Sequence, residues 1–327
     1  MRYVNHFTER IHVTAEQSIS ITILGAGSIG VSFAAVLLDA GAQVALVEPD
    51  AGRRAAIEPG LAIQRDAIAA AGLAADKNGM LNVTAAFSEV TGPADMVLEC
   101  GPERLEAKQD IFATLLKETC ENTLLATASS AIPMSRIVAM PDAQARCLVA
   151  HPVNPPSVLR LIELVPAPGT LPKSLSTAER LFKAVGFAPV TLGAEIEGFA
   201  LNRLQGAVLR EAYRLVEDGI MGANDIDMVM RLGLGPRWAL SGPFETAELN
   251  TPGGISAHAE RMGPAYRRMG EARGETVDWT PDLVRKVAAD RRQRLPKDQI
   301  PKRAAWRVRA VARLVAARDR IAMDTDD

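Results

Sequence analysis

Apolar and polar residues alternate from Ile19 to Leu24, with β-branched side chains, and this predicts a strand. The strand runs straight into Gly25-Ala26-Gly27-Ser28-Ile29-Gly30. Ile29–Ala40 is then rich in Ala, Leu and Val, predicts a helix, and stops at Gly41. Gln43–Glu48 predicts a second strand, which Pro49-Asp50 turns away. The unit has the size of two parallel strands joined by a crossover helix, about 30 residues. The alternation continues with a helical tendency over residues 51–75 and with helices predicted at Glu103–Glu118 and Leu175–Val185. Further strands are predicted at Leu81–Thr84, Met96–Cys100, Thr123–Thr127, Arg146–Ala150, Leu159–Val165 and Pro189–Leu192. Strands alternating with helices predict an α/β fold, a Rossmann-like doubly wound sheet.

The pattern changes near Glu195, after which little strand signal remains. Phe199–Asp218 has apolar residues at helical spacing and is closed by Gly219, and Asn224–Leu232 predicts a helix capped by Asn224. Two Arg-rich helical stretches follow, Asp282–Arg294 and Lys302–Met323. The expected organisation is an extension at 1–17, a Rossmann-like domain at 18–194, and an all-helical substrate and dimerisation domain at 195–327. Residues 1–17 lack the apolar stretch of a signal peptide, and no run of about 18 apolar residues predicts a membrane span.

Composition narrows the function classes. Lys and Arg number 37 against 39 Asp and Glu in 327 residues, a net charge of −2 that argues against a nucleic-acid binder. Apolar residues make up 48%, too many for a disordered chain. The three cysteines, Cys100, Cys120 and Cys147, are odd in number and lack CxxC spacing. No disulfide framework or metal site is expected, and a reducing cytoplasm fits.

Gly25, Gly27 and Gly30 form a G-x-G-x-x-G motif between a strand and a helix, and Glu48 ends the next strand 18 residues after Gly30. Each residue type has a reason. Gly25 permits a tight turn, Gly27 lets a pyrophosphate approach the backbone, and Gly30 allows close helix–strand packing. The helix start at Ser28 and Ile29 offers free N–H groups and a positive dipole end. Glu48 suits the ribose hydroxyls and would repel a 2′-phosphate, which favours NAD over NADP, although Arg53 and Arg54 soften that preference.

A second segment, His151-Pro152-Val153-Asn154-Pro155-Pro156, follows a predicted strand and fixes its backbone with three prolines. A lone histidine is more often structural than catalytic, but α/β sheets place ligands at the ends of their strands. Glu163 falls twelve residues later in an otherwise apolar strand. A carboxylate there needs a partner, and either an imidazole or Arg160 would serve. Oxidation of an alcohol by NAD needs a base for the hydroxyl proton and donors for the forming carbonyl oxygen. A histidine backed by a carboxylate suits the first task, and Ser or Asn suits the second.

The glycine motif, Glu103-Arg-Leu-Glu-Ala-Lys108, Ser129-Ser130, His151–Pro156, Glu163 and Gly198-Phe-Ala-Leu-Asn-Arg-Leu204 together resemble the 3-hydroxyacyl-CoA dehydrogenase superfamily. The match is closer to its lambda-crystallin / L-gulonate 3-dehydrogenase branch, which shows His-Pro-x-Asn-Pro-Pro at this point. It continues through Glu211–Gly219 and Gly233–Thr246 and spans about residues 18–270. The resemblance implies that His151 is the catalytic acid/base and Glu163 its partner. It implies that Ser129, or Ser130 one residue on, and Asn202 hydrogen-bond the reacting oxygen. It also implies that Glu103 and Lys108 contact the nicotinamide end of NAD. Ala128 stands where a polar residue is common.

The resemblance implies a cytoplasmic NAD-dependent oxidoreductase acting on the 3-hydroxyl of a small hydroxy acid, L-gulonate foremost. Alternatives are 3-hydroxybutyryl-CoA, carnitine, and a crystallin-like structural protein that keeps the nucleotide site. Arg231 and Arg237 are candidates for binding a free carboxylate. Carnitine would call for an aromatic cage, with Phe199, Tyr213, Trp238 and Phe244 as candidates. CoA would favour a basic cluster after Glu48, where Arg53, Arg54 and Arg65 stand dispersed. Apolar helices in the second domain point to a homodimer, and the Arg-rich tail reads as a solvated helix face with apolar stripes packed on the domain or a dimer mate, rather than as an anion or partner surface.

Overall fold

The computed structural model describes residues 18–75, 77–251 and 254–273, together with 282, 285, 296–299, 302, 305, 309, 312–317 and 320. The 1–17 extension, most of Asp282–Arg294 and most of Lys302–Met323 lie outside the described residues; 312–317 are helical. The described chain divides into two units, one up to Arg203 plus the residues from 306 on, the other within 204–305.

The first unit holds eight strands: β1 (Ser20–Leu24), β2 (Gln43–Val47), β3 (Met80–Thr84), β4 (Met96–Glu99), β5 (Leu124–Thr127), β6 (Cys147–Pro152), β7 (Leu161–Pro166) and β8 (Ala188–Thr191). They form one sheet in the order β3-β2-β1-β4-β5-β6-β7-β8. The first six are mutually parallel. The order reverses at β1, the switch point beside which such sheets bind ligands. The expectation of alternating strands and helices missed one turn of direction. β7 runs antiparallel to β6, because the proline-rich connection returns the chain without a crossover helix, and β8 then pairs parallel to β7.

Besides the helical 312–317, this unit holds α1 (Ser28–Asp39), α2 (Ala51–Ala55), α3 (Ile57–Ala70), α4 (Leu105–Glu118), α5 (Met134–Ile137), α6 (Pro172–Ala184) and the start of α7 (Phe199–Glu217). The helical run over 51–75 is thus two pieces that end at Ala70. One core joins α1, α3 and α6 to Ile21, Ile23, Leu46, Met96, Leu98 and Leu148. The other face packs Val97, Leu125, Val149 and Val165 against Phe112, Leu115, Met134 and Ile137 of α4 and α5. Both faces being covered explains why the central strands are apolar on both sides. Strand period then decides where polar side chains go. Glu99, Thr127, His151 and Glu163 share parity with Val97, Leu125, Val149 and Val165, so all four lie on the face that α4 and α5 cover.

The second unit continues α7 and adds α8 (Ala223–Val229), a π-helical turn (Met230–Leu234), α9 (Gly235–Leu249) and α10 (Gly254–Arg273). α8 starts after Gly222 rather than with Asn224 as its cap. α9 is broken at Gly242, at φ 63°, just before Pro243. Among the described residues no helix is long and apolar enough to cross a membrane.

Two motif glycines serve opposite needs. A Cβ on Gly30 would sit 1.9 Å from the Gly25 carbonyl oxygen, a backbone atom that cannot yield, whereas a Cβ on Gly27 would meet nothing within 4 Å. Gly30→Ala is therefore expected to lower the melting temperature by several degrees, a loss of about 1–3 kcal/mol. Gly27→Ala is expected to leave it unchanged. Thermal denaturation of the two variants side by side checks this.

Candidate functional site

The nucleotide end of the site is built by β1, the glycine loop and α1. Gly25 takes φ 103°, a conformation that suits glycine, and a Cβ there would stand 2.8 Å from the Cys100 carbonyl oxygen. Gly27 is the N-cap of α1, which has no side-chain cap and no acid in its first turn. The first helical bond is Val31 N–H to the Gly27 carbonyl, 3.0 Å, so the N–H groups of Ser28, Ile29 and Gly30 have no helical acceptor. Open space above Gly27 and an uncapped positive helix end fit a pyrophosphate.

Glu48 lies just past β2, buried, with Oε2 accepting from Ala26 N–H at 2.9 Å and Oε1 from Asp50 N–H at 3.0 Å. It therefore ties the glycine loop to the end of β2. Each oxygen keeps acceptor capacity for a ribose hydroxyl. Of the basic residues nearby, Arg53 stands 4.0 Å from Glu48, Arg54 donates to the Glu48 and Pro49 carbonyls, and Arg65 pairs with Glu58. They do not converge on one anion.

At the other end, the antiparallel register sets His151 directly opposite Glu163. His151 Nδ1 lies 2.7 Å from Glu163 Oε2, and both side chains are almost fully buried. Glu163 Oε1 accepts from the N–H groups of Ala200 and Leu201, at 3.0 and 2.9 Å, in the first turn of α7. Burial alone would raise this carboxyl. The His151 hydrogen bond, the Leu201 N–H, the charge of His151 and the Ala200 N–H outweigh it and hold Glu163 below its ordinary range. An ionised Glu163 keeps the shared proton on Nδ1 and leaves Nε2 as the imidazole's free nitrogen. The rival partner, Arg160, bonds instead to the Ser157 carbonyl at 3.0 Å and lies over the Phe187 ring. Burial lowers its guanidinium to about 10.

The remaining predicted residues form one linked network. Ser129, buried, donates to Glu103 Oε1 at 2.6 Å, and the same oxygen accepts from the N–H groups of Ser130 and Ala131. The Ser129 hydroxyl also accepts from Ile132 N–H at 2.9 Å. Asn202 on α7 donates to the Ser130 carbonyl at 2.6 Å, so Ser129 enters this network by its side chain and Ser130 by its backbone. Burial acts to raise Glu103, but Ser129, the Lys108 charge and the backbone donors bring it below its ordinary range.

Lys108 turns inward. Its ammonium donates to both oxygens of Glu99, at 3.0 and 2.8 Å, and lies 3.4 Å from Glu103. Glu99 is completely buried, and Thr127 donates to it at 2.6 Å. Lys108 is 1% accessible while Glu103 is 44% accessible, so Glu103 is the member of this pair that faces outward. Sequence reasoning missed Glu99 and Thr127. The available signal was their place at the C-terminal ends of β4 and β5, in the same strand parity as His151. Phe199 was noted only as a cage candidate. It is fully buried, with its ring 5.4 Å from the imidazole, centre to centre.

Among the described residues, no group of three or more His, Cys, Asp or Glu could hold a metal ion. Cys147 is raised to about 12 by burial, which makes its thiol unreactive at neutral pH. Arg231, Arg237, Tyr213, Trp238 and Phe244 all belong to the second unit. So does His258, which lies 3.1 Å from the Thr251 hydroxyl.

Residues 20–196 match the family model for the NAD-binding domain of 3-hydroxyacyl-CoA dehydrogenase, and residues 198–294 match that for its C-terminal domain. A lambda-crystallin homolog from Bos taurus is 36% identical over 305 residues, 90% of this chain and 94% of the relative. An L-carnitine dehydrogenase from Pseudomonas aeruginosa is 33% identical over 246 residues, 75% of this chain and 77% of the relative. Among solved structures, M. tuberculosis FadB2 is 26% identical with a TM-score of 0.63, covering 84% of this chain and 95% of that one. The NAD-dependent 5-formyl-3-hydroxy-2-methylpyridine 4-carboxylic acid 5-dehydrogenase shares the fold at a TM-score of 0.79 and 24% identity, over 92% of this chain and 100% of that one. The chain belongs to the 3-hydroxyacyl-CoA dehydrogenase family and is an NAD-dependent dehydrogenase.

Proposed function

We propose that this enzyme oxidises the 3-hydroxyl of a small free hydroxy acid, with L-gulonate the first candidate, and that His151 and Glu163 are its acid/base pair. The observation that carries this reading is the 2.7 Å contact between His151 Nδ1 and Glu163 Oε2, at the ligand end of the sheet. Bound NAD supplies the hydride acceptor. Nε2 takes the hydroxyl proton as the carbinol C–H bond breaks, and the ionised Glu163 steadies the imidazolium that forms. Ser129 and Asn202 are assigned to the substrate oxygen: Asn202 has a second amide hydrogen to give, and Ser129 would turn its one hydroxyl proton from Glu103 to the substrate. Glu103, with Lys108 behind it, is assigned to the nicotinamide end. Gly25, Gly27, Ser28, Ile29, Gly30 and Glu48 are assigned to the pyrophosphate and ribose.

The free-acid choice follows the lambda-crystallin relatives, which match this chain over most of its length. Of the four aromatic candidates for a carnitine cage, Phe199 is fully buried beside His151, which takes it out of such a cage. The CoA reading loses support from the dispersed Arg53, Arg54 and Arg65. A purely structural role would leave an ordered buried His–Glu pair without a purpose. We assign the boundary between the nucleotide domain and the helical domain to about residue 194. We also place the enzyme in the cytoplasm as a homodimer. Leu204, Leu232, Phe244 and Leu249 of the second unit are between 65 and 80% exposed, apolar side chains that a partner subunit would cover.

Purified enzyme with NAD should reduce the cofactor with L-gulonate faster than with L-carnitine or 3-hydroxybutyryl-CoA. A fastest rate with either of the others would move the substrate assignment there. His151→Ala is expected to lower kcat by about 10²–10⁴-fold with NAD affinity retained. Gly27→Ala is expected to weaken NAD binding, read by calorimetry.

Glu163→Gln keeps the shape but loses the charge. Turnover should fall by about 10²–10⁴-fold, as for a histidine left in the wrong tautomer. Because Glu163 is held below its ordinary value of 4.5, its charge stabilises the fold above that pH. The stability gap between wild type and Glu163→Gln should be full near neutrality and close as the pH falls through the folded-state value. Denaturant titrations at several pH values test this. Sedimentation should give about twice the 34.9 kDa chain mass; a monomer would remove the dimer assignment.

A further inference from the structure

The polar pair has an apolar neighbour whose backbone is unusual. Gly198 takes φ 76° and Phe199 takes φ 51°, and Phe199 is the one non-glycine residue with positive φ among those described. A bulky residue in this region is strained, and such strain persists only where the surroundings enforce it. Here three contacts do so. The Phe199 N–H bonds back to the Ile196 carbonyl at 3.0 Å. The ring is fully buried in the core beside Val149 and Val165, 5.4 Å from the imidazole and tilted by 53°. The next two N–H groups, of Ala200 and Leu201, both reach Glu163 Oε1.

We infer that the Gly198–Phe199 turn positions the acid/base pair: the ring holds the plane of His151 while the left-handed backbone aims two N–H donors at Glu163. One local conformation thereby fixes both partners. Relaxing φ at Phe199 to the ordinary negative range would swing the first turn of α7 and separate its donors from Oε1. Losing the ring would leave the imidazole free to tilt about its bond to Glu163. A displacement of Nε2 by about an ångström is enough to slow proton transfer by one or two orders of magnitude. Phe199 touches neither the cofactor nor the reacting atoms in this account, so it is a positioning residue. The inference rests on the His151–Glu163 assignment made above.

Two variants separate its elements. Phe199→Leu keeps apolar bulk but removes the flat face. Gly198→Ala adds a Cβ that would meet nothing nearer than 3.6 Å, from Arg203 and Asn202, so its effect comes from backbone preference rather than a clash. Both, with His151→Gln as reference, are measured for turnover of the best substrate, for NAD affinity, and for the ¹⁵N signals of His151. Wild type should show a single Nδ1-protonated tautomer. Both variants should show mixed tautomers and a kcat about tenfold or more lower, with KM and NAD affinity unchanged. A variant that only loses melting temperature while keeping kcat and a single tautomer overturns the inference. If His151→Gln itself turns over normally, the acid/base assignment has failed instead. If Phe199→Leu does not fold, Gly198→Ala decides alone, and wild-type kcat with an unmixed tautomer in it defeats the proposal.

Discussion

The site depends on one buried hydrogen bond, between the His151 imidazole and the Glu163 carboxylate. A carboxylate sealed from water is unfavourable unless its oxygens are satisfied. Here a ring N–H and two backbone N–H groups satisfy it. The constraint reaches back into the fold. The two residues face each other only because β7 returns antiparallel beside β6, and the donors arrive only because α7 starts where it does. Fold and chemistry are specified by the same few residues.

A buried ion pair lies on the same face of the sheet. Glu99 and Lys108 neutralise each other beneath Glu103, in the face that α4 and α5 cover. Removing either partner would strand a charge in the core, at about 3–5 kcal/mol. The pair also orders the loop after β4, since Gly101 N–H donates to Glu99 at 2.7 Å. Glu103 and Ser129 are thus held by a network anchored well below the surface.

Much of this was legible in the sequence. The β1–α1–β2 unit follows from alternation, a glycine turn and helical periodicity, and its strands fell within a residue or two of their places. His151 stood out because three prolines surround it, and Glu163 because a carboxylate is out of place in Leu159–Val165. Less legible was direction. Periodicity encodes which face a side chain occupies but not whether a strand runs up or down, so the antiparallel β7 went unread. Glu99 stands at the C-terminal end of an apolar strand, a readable signal, but its pairing with Thr127 needs β4 and β5 side by side, which periodicity does not encode. α9 and α10 escaped because Gly242-Pro243 and Pro264 break the helical signal. The left-handed Phe199 has no sequence signature beyond the glycine before it.

The central claim, that this imidazole exchanges the proton of the reacting hydroxyl, is tested most directly by a structure of the enzyme with NAD and an unreactive analogue of the hydroxy acid. The account predicts His151 Nε2 within about 3 Å of the analogue's oxygen, a hydrogen-bonding distance, with Glu163 still on Nδ1. An analogue oxygen bound by some other side chain, with Nε2 turned to protein or solvent, would contradict it.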